Sequence, residues 1–386
     1  RDLRSNLVGD AFAPALPSAP APDTSSYAYV FEWDGYFAPR ALQRVFDQDL
    51  LARVATQTFT AATTHGDREF ARGSIVVPFD RQAVEHTVIH ELMQTIAAED
   101  GLTVHALTSG RSAVGTAGIQ VGGPSVAPIS EPSALVVVGD DITLYDAGEI
   151  WHLLDYRMHM PVSLRDRDQL DGIDWSRYTH IVFSSGEYED YLPDYADRLR
   201  QWVAEGGTII GLRDAAAWVR ANVLDWIDAD SPEGIAAAAA MEDEEIEDEA
   251  IPGRMPYAEK SDYEAIDVIG GAIFSADLDN THPLGFGFRN RDIQLHKNTE
   301  EPLAATSNPF GTVIRYSDNP VYSGYVSEAN QGALAGTPAL IAERLGNGSV
   351  ILFADNPNFR GYWYGTNKLF LNALFFSTVF EAPAED

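Results

Sequence analysis

The chain carries nine histidines and no cysteine, which bounds its chemistry at once. A thiolate nucleophile, a thiolate metal site and a disulfide are all excluded. The first chemically spaced run is HTVIHELMQ, residues 86–94. Two imidazoles at i and i+4 share a helix face, and a His-Glu-x-x-His run would hold zinc with the glutamate as general base. Here Gln94 stands where the second helix ligand is needed, after His90 and Glu91. His86 and His90 would make at best a weak two-ligand surface site, so the reading expects an ordinary helix and no metal.

A second arrangement is Gly211-Leu212-Arg213-Asp214-Ala215, at a strand-to-helix turn. A nucleophile elbow would present Ser or Cys at the position of Arg213. A guanidinium is permanently cationic and cannot attack anything. No histidine follows His296, so no base comes after the last strand. What remains is an Arg213/Asp214 pair beside a helix start, either binding a small anion or locking the turn as an ion pair.

Asp140, Asp141, Ser184, Ser185, Glu187, Arg213 and Asp214 all fall at carboxyl ends of expected parallel strands. In a doubly wound sheet such residues converge on one crevice. A third group lies in DNPNFRGYWYGTN, residues 355–367, where Asp355, Arg360, Trp363 and Asn367 sit among aromatic residues. Aromatic faces with polar neighbours suit a sugar or a peptide. The competing reading packs Tyr362, Trp363 and Tyr364 between modules.

The elements that must position these residues are legible from hydrophobic periodicity. YAYVFEW (27–33), GSIVVPF (73–79) and LTVHAL (102–107) read as strands, with helices over about 39–54 and 81–98. That alternation predicts a small parallel α/β module over residues 27–108. The Gly- and Ser-rich stretch 109–133 reads as a connector. A second series follows, with strands at 134–141, 160–166, 179–186 and 206–212, helices at 147–157 and 193–204, and a late strand at 349–355. Near-continuous apolar strands at this spacing predict a flavodoxin-like doubly wound parallel sheet over residues 134–380. The apolar segment Asn367 to Phe380 is expected to form a terminal helix over one face.

The formal charge is −32, with the acids spread widely. Phosphate contacts need clustered cations, so nucleic acid is excluded as a partner, and anionic lipid with it. No apolar run approaches the roughly 20 residues of a membrane helix. The densest acidic run, Glu242 to Glu249, holds seven acids in eight positions. It reads as a solvated insertion over about residues 225–262. Residues 1–26 are Pro- and Ala-rich and read as a linker or strap. The chain opens at Arg1 with neither an initiator Met nor a leader, so the reading expects a fragment or a processed product.

The motifs ALVVVGDD (134–141), HIVFSSG (180–186) and GGTIIGLRDAA (206–216) make residues 134–218 resemble the class I glutamine amidotransferase-like superfamily, in its trehalose-utilisation-protein-like branch. HPLGFGF (282–288), VYSGY (321–325) and the run from Val350 to Phe376 resemble the end of bacterial zinc carboxypeptidase-like proteins, the carboxypeptidase A-type metallopeptidases. The 27–107 region is similar to the segment that precedes this module in those proteins. The resemblance implies a secreted or periplasmic setting and an upstream peptidase domain of the same polypeptide as partner. It brings no chemistry. Zinc ligation in the peptidases needs His-x-x-Glu, whereas His152 is followed by Asp155 and the other histidines by neither acid at that spacing. The amidotransferase thiol and its His-x-Glu are missing as well. The expectation is therefore an accessory, non-catalytic region without cofactor, supporting the peptidase or holding a peptide or glycan. The alternative is an independent enzyme or binding protein for a sugar or small metabolite at the Arg213/Asp214 crevice.

A chain at −32 repels itself in the folded state, and raising salt from 0.1 to 1 M shortens the screening length from about 10 to about 3 Å. The melting temperature is therefore expected to rise over that range of sodium chloride. A flat or falling trend in a calorimetric series would show that the acids are locally paired and that the chain is not adapted to salt.

Overall fold

The computed structural model describes residues 18–111, 120–188, 193–225, 255–266 and 268–381. They fall into two compact units, Arg1–Pro128 and Ile129–Asp386. Among the described residues, no helix is long and apolar enough to cross a membrane.

The first unit carries β1 (Ala28–Phe31), α1 (Ala38–Phe46), β2 (Ala52–Ala55), β3 (Phe59–Thr63), β4 (Gly66–Phe70), β5 (Ile75–Pro78), α2 (His86–Thr95), β6 (Val104–Leu107) and β7 (Val126–Ile129). The strand order is β4-β3-β6-β1-β5-β2-β7. β1 runs antiparallel to both of its neighbours, β5 and β6. The expected parallel module is thus an antiparallel sheet. Apolar strands such as AYVF read alike in either orientation. The segments that reverse the chain were the least legible, because β4 is exposed at four of its five residues and carries no buried stripe. β7 also lies inside the stretch read as a connector. Pro39 in the first turn of α1 is pre-set for a helix start, and Arg40 and Arg44 fix the helix by reaching the buried Asp100 at 2.6 and 3.0 Å. Ala19 N–H donates to Ala97 O at 2.8 Å, tying down the described end of the Pro/Ala-rich stretch.

The second unit carries β8 (Ala134–Val138), α3 (Leu144–Trp151), β9 (Val162–Asp166), β10 (His180–Phe183), α4 (Pro193–Ala204), β11 (Thr208–Leu212), α5 (Asp214–Val219), α6 (Lys260–Ile266), β12 (Ala272–Leu278), β13 (Asp292–Lys297), β14 (Thr312–Ser323), α7 (Glu328–Leu334), β15 (Pro338–Leu345), β16 (Gly348–Phe353) and α8 (Asn367–Phe375). Its sheet has nine strands in the order β13-β12-β14-β15-β16-β11-β10-β8-β9. From β9 to β16 the pairing is parallel. From β16 through β15, β14 and β12 to β13 it is antiparallel.

The expectation of a flavodoxin-like doubly wound parallel sheet is therefore wrong for this unit. Four of the nine strands form an antiparallel extension. Within this extension β12 and β13 alternate buried with more exposed residues, and such period-2 segments are weaker signals than solid apolar runs. Most of the expected acidic insertion lies outside the described residues, at 226–254.

Strand parity sorts the core. Leu135, Val137, Ile181, Phe183, Ile209, Val350 and Leu352 cluster with Leu199 and Val203 of α4 and Ala215, Ala216 and Val219 of α5. His180 and Ser349, of the opposite parity, meet Ser377 just past α8, at 3.0 Å and 2.7 Å. Every residue of α8 but Lys368 is buried, so this short helix seals the second face.

At the end of β13, the fully buried Lys297 reaches Asp355 at 3.2 Å, with Thr299 Oγ1 and Glu301 O each at 3.3 Å. Tyr316 of β14 donates its hydroxyl to the other oxygen of Asp355. Removing one partner of a buried pair strands the other charge, which costs about 3–5 kcal/mol. Lys297→Met is expected to lower the unfolding free energy measured by urea denaturation by an amount of that order, with Lys297→Met/Asp355→Asn recovering part of it. A single variant as stable as the parent would show that the pair contributes nothing.

Candidate functional site

The parallel strands deliver their carboxyl ends to one edge of the second unit. Beyond β11, Arg213 has φ 54° and ψ −121°, a left-handed conformation that side chains with a Cβ avoid. The strained strand-to-helix turn expected at 211–215 is thus present, with arginine at its apex. A Cβ at Gly211 beneath it would come within 3.0 Å of Leu352 and 3.1 Å of Ala216, so a larger residue there would press on both neighbours. Arg213 Nη1 donates to Asp146 Oδ2 at 3.3 Å, while its Nε is buried with no hydrogen-bond partner.

Asp146 and Glu149 lie three residues apart on α3 and so share one helix face. Asn356, the residue after Asp355, donates its amide to Glu149 Oε2 at 2.6 Å and is also hydrogen-bonded to Asp146. The amide cannot face the other way, because Asn358 N–H donates to Asn356 Oδ1 at 2.8 Å. The backbone N–H of Arg360 supplies a further bond to Glu149. Burial pushes the carboxyl of Asp146 up, against the pull of Arg213. Burial, and then the neighbouring Asp146, push Glu149 up to about 7.

These groups face a cavity of about 850 Å³. Its lining includes Leu144, Tyr145, Asp146, Glu149 and His152 from α3 and the turn after it, together with Arg213, Asn298, Phe359 and Arg360. The ring of Phe359 stacks on His296 at 3.5 Å, and burial lowers the pKa of that histidine. Arg360 has φ 51°. Among the described residues, two of the six non-glycine residues with positive φ, Arg213 and Arg360, therefore line this one cavity, which is where strain held by surrounding packing tends to collect.

Of the expected crevice residues, Arg213 lines the cavity and the other six do not. Ser185 Oγ donates to Asp214 at 2.5 Å, and Thr143 N–H donates to Ser185 O at 2.8 Å. Asp141 pairs with the buried Arg167 at 2.8 Å, and the N–H of Glu187 donates to Asp141 O at 3.1 Å. Ser184 is fully buried and turns back to Val137 O at 3.4 Å. Asp140 is exposed and outside the lining.

Of the aromatic group, Arg360 lines the same cavity. Asp355 is held by Lys297 and Tyr316, Asn367 is buried in α8, and Trp363 Nε1 points to Gln294 O at 3.4 Å. Two residue groups that the sequence keeps apart thus meet through Arg213 and Arg360. In the first unit, both ring nitrogens of His90 are engaged, by Tyr29 at 2.7 Å and Gln94 at 2.9 Å, and His86 stacks on Phe79. Among the described residues, no group of three or more His, Asp or Glu is placed to hold a metal ion.

Asp146, Glu149 and Asn356 were not picked out from sequence. The available signal was the i,i+3 acid pair in LYDAGEIW, directly after a strand ending in acids.

No protein-family model matches the sequence, and no curated protein matches it. Among solved structures, the exo-β-1,4-mannosidase Op5Man5 from Opitutaceae bacterium strain TAV5 overlaps 66% of this chain and 37% of its own, at 11% identity and a TM-score of 0.30. The β-galactosidase from Rahnella sp. R3 overlaps 64% of this chain and 32% of its own, at 12% identity and 0.29. The cytoplasmic protein STM1381 from Salmonella typhimurium LT2 overlaps 63% of this chain and 99% of its own, at 12% identity and 0.33. The chain spans about a third of either glycosidase, and likenesses this distant assign it neither a family nor a function.

The raised carboxyl of Glu149 has a consequence for stability. Its folded pKa, about 7, lies above its ordinary 4.5, so the folded state binds the proton more tightly than the unfolded chain. Stability from this group is present below pH 4.5 and is lost as pH rises towards 7. His180 and His282, lowered by burial to about 4, act in the opposite sense over an overlapping range, so the comparison must be between variants. Glu149→Gln is expected to gain stability relative to the parent as pH rises from 4.5 to 7, and then to hold that gain. A pH-independent difference between the two denaturation curves would mean that Glu149 ionises normally.

Proposed function

We propose that the second unit is a binding module for a small polar molecule, seated on Asp146, Glu149 and Arg213. The observation that carries this reading is the convergence on one cavity of about 850 Å³ of two carboxyls whose proton affinity burial raises, the buried Asp146 and the half-buried Glu149, and a strained, ion-paired guanidinium. Each of the three is costly to hold in place. Burial disfavours both charged carboxyls, the left-handed turn costs about 1–3 kcal/mol, and the arginine keeps a buried nitrogen without a partner. Structural needs alone are met more cheaply by apolar residues.

The reading is of binding and not of turnover, because arginine stands where a turn of this shape would offer its nucleophile. The role expected from the resemblance to carboxypeptidase-like proteins, an accessory region that holds a ligand near a peptidase domain, fits such a module and is proposed with it.

The test is a ligand screen on the full chain by thermal shift, confirmed by calorimetric titration. A polar metabolite is expected to bind and to lose at least about tenfold in affinity, about 1.4 kcal/mol, in Arg213→Ala and Asp146→Asn. Neither glutamine nor carboxypeptidase peptide substrates should be hydrolysed. Turnover of any substrate that stops in Arg213→Ala would replace the binding reading with an enzymatic one.

A further inference from the structure

We infer that the ligand of this cavity is a neutral saccharide, its hydroxyls held by Asp146, Glu149 and Arg213 and an apolar ring face laid on Tyr145 at the rim. The inference rests on the binding reading above and adds the chemical class.

Charge balance is the first argument. The lining brings two carboxyls, Asp146 and Glu149, against two guanidiniums, Arg213 and Arg360. An anion would meet both carboxyls after crossing the field of a chain at −32. A cation would meet both guanidiniums. A neutral molecule rich in donors and acceptors meets neither penalty. Carboxylates accept from vicinal hydroxyls and a guanidinium donates to them, which is the pairing a polyol offers. Glu149, with its carboxyl raised to about 7, can act as donor or acceptor near neutral pH.

The rim supplies the second argument. Leu144 and Tyr145 belong to the cavity lining yet are 66% and 84% exposed. Tyr156, 69% exposed, stacks on the lining residue His152 with ring centres 5.2 Å apart. Tyr362, 54% exposed, stands beside Phe359 on the opposite turn. A single exposed tyrosine needs no explanation, but Tyr145 in the lining, with Tyr156 against its neighbour His152 and Tyr362 against Phe359, sets exposed apolar faces beside a polar floor. A pyranose is built the same way, with C–H groups on its faces and hydroxyls around its edge. The cavity volume lies in the upper part of the roughly 300–1,000 Å³ range of small-ligand pockets, which leaves room for more than one ring.

The experiment presents the full chain, at pH 7, with neutral mono- and disaccharides of the gluco, galacto, manno and xylo series. Inorganic phosphate, citrate, lysine and the dipeptide Gly-Phe serve as the charged probes. Binding is read by saturation-transfer NMR and calorimetric titration. At least one neutral sugar is expected to bind saturably. Tyr145→Ala should weaken that binding about threefold to tenfold without moving the melting temperature, and Glu149→Gln should weaken it as well.

Sugar binding that neither substitution alters would place the sugar elsewhere and overturn the inference. A charged probe that binds and responds to Asp146→Asn, with every sugar silent, would overturn the saccharide class while leaving the binding reading intact. Silence from every probe would overturn both.

Discussion

The Lys297–Asp355 pair is the constraint from which the site hangs. A charge pair withdrawn from water is tolerated only if its geometry is kept and its remaining hydrogen-bonding capacity is filled. Here Tyr316, Thr299 and the carbonyl of Glu301 fill it. Asp355 lies two residues past β16, so the pair fixes the direction in which the chain leaves the sheet. The next residue is Asn356, whose amide meets both carboxyls of α3. Three residues on, Phe359 is clamped on His296, and Arg360 returns a backbone N–H to Glu149. One wall of the cavity is therefore anchored at a point in the interior, several residues from the groups that face the opening.

The other wall is held by packing. A left-handed arginine persists only where the neighbouring chain leaves it no alternative. Ala215 and Ala216 of α5 and Leu212 of β11 are essentially inaccessible, and a side chain at Gly211 would crowd Leu352 and Ala216. The core under Arg213 thus over-determines the turn, and the guanidinium is presented to Asp146 without freedom to withdraw. Asp146 in turn raises the proton affinity of Glu149. Strain in the backbone and perturbation of the carboxyls are two ends of one arrangement, joined by a 3.3 Å ion pair.

The sequence makes the parallel strands and the turn at Arg213 legible, because solid apolar runs such as ALVVV and THIVF announce buried strands without reference to their partners. The Ser185–Asp214 and Asp141–Glu187 neighbourhoods follow from the rule that such strands end at a common edge. Strand direction is not encoded in that way. AYVF in β1 and the PALIA run that opens β15 read as apolar as the parallel strands do, yet both strands pair antiparallel, and only the length and chemistry of the connections distinguish the cases. The acid pair on α3 escaped for a different reason. Acids on a helix are ordinarily solvated, and nothing local in DAGE reveals that Asn356, 207 residues beyond Glu149, will cover it.

The mixed sheet bears directly on the site. β16 is the junction strand, parallel to β11 on one side and antiparallel to β15 on the other. Arg213 follows β11, and Asn356 and Arg360 follow β16, so these come from the parallel half. Asn298 follows β13, at the far antiparallel edge, and lines the same cavity. Lys297, its neighbour, crosses to Asp355. A doubly wound parallel sheet alone would lack Asn298 in the lining and leave Asp355 without its cation. The antiparallel extension, which is the part the sequence pattern conceals, adds Asn298 to the lining and supplies the charge that anchors its wall.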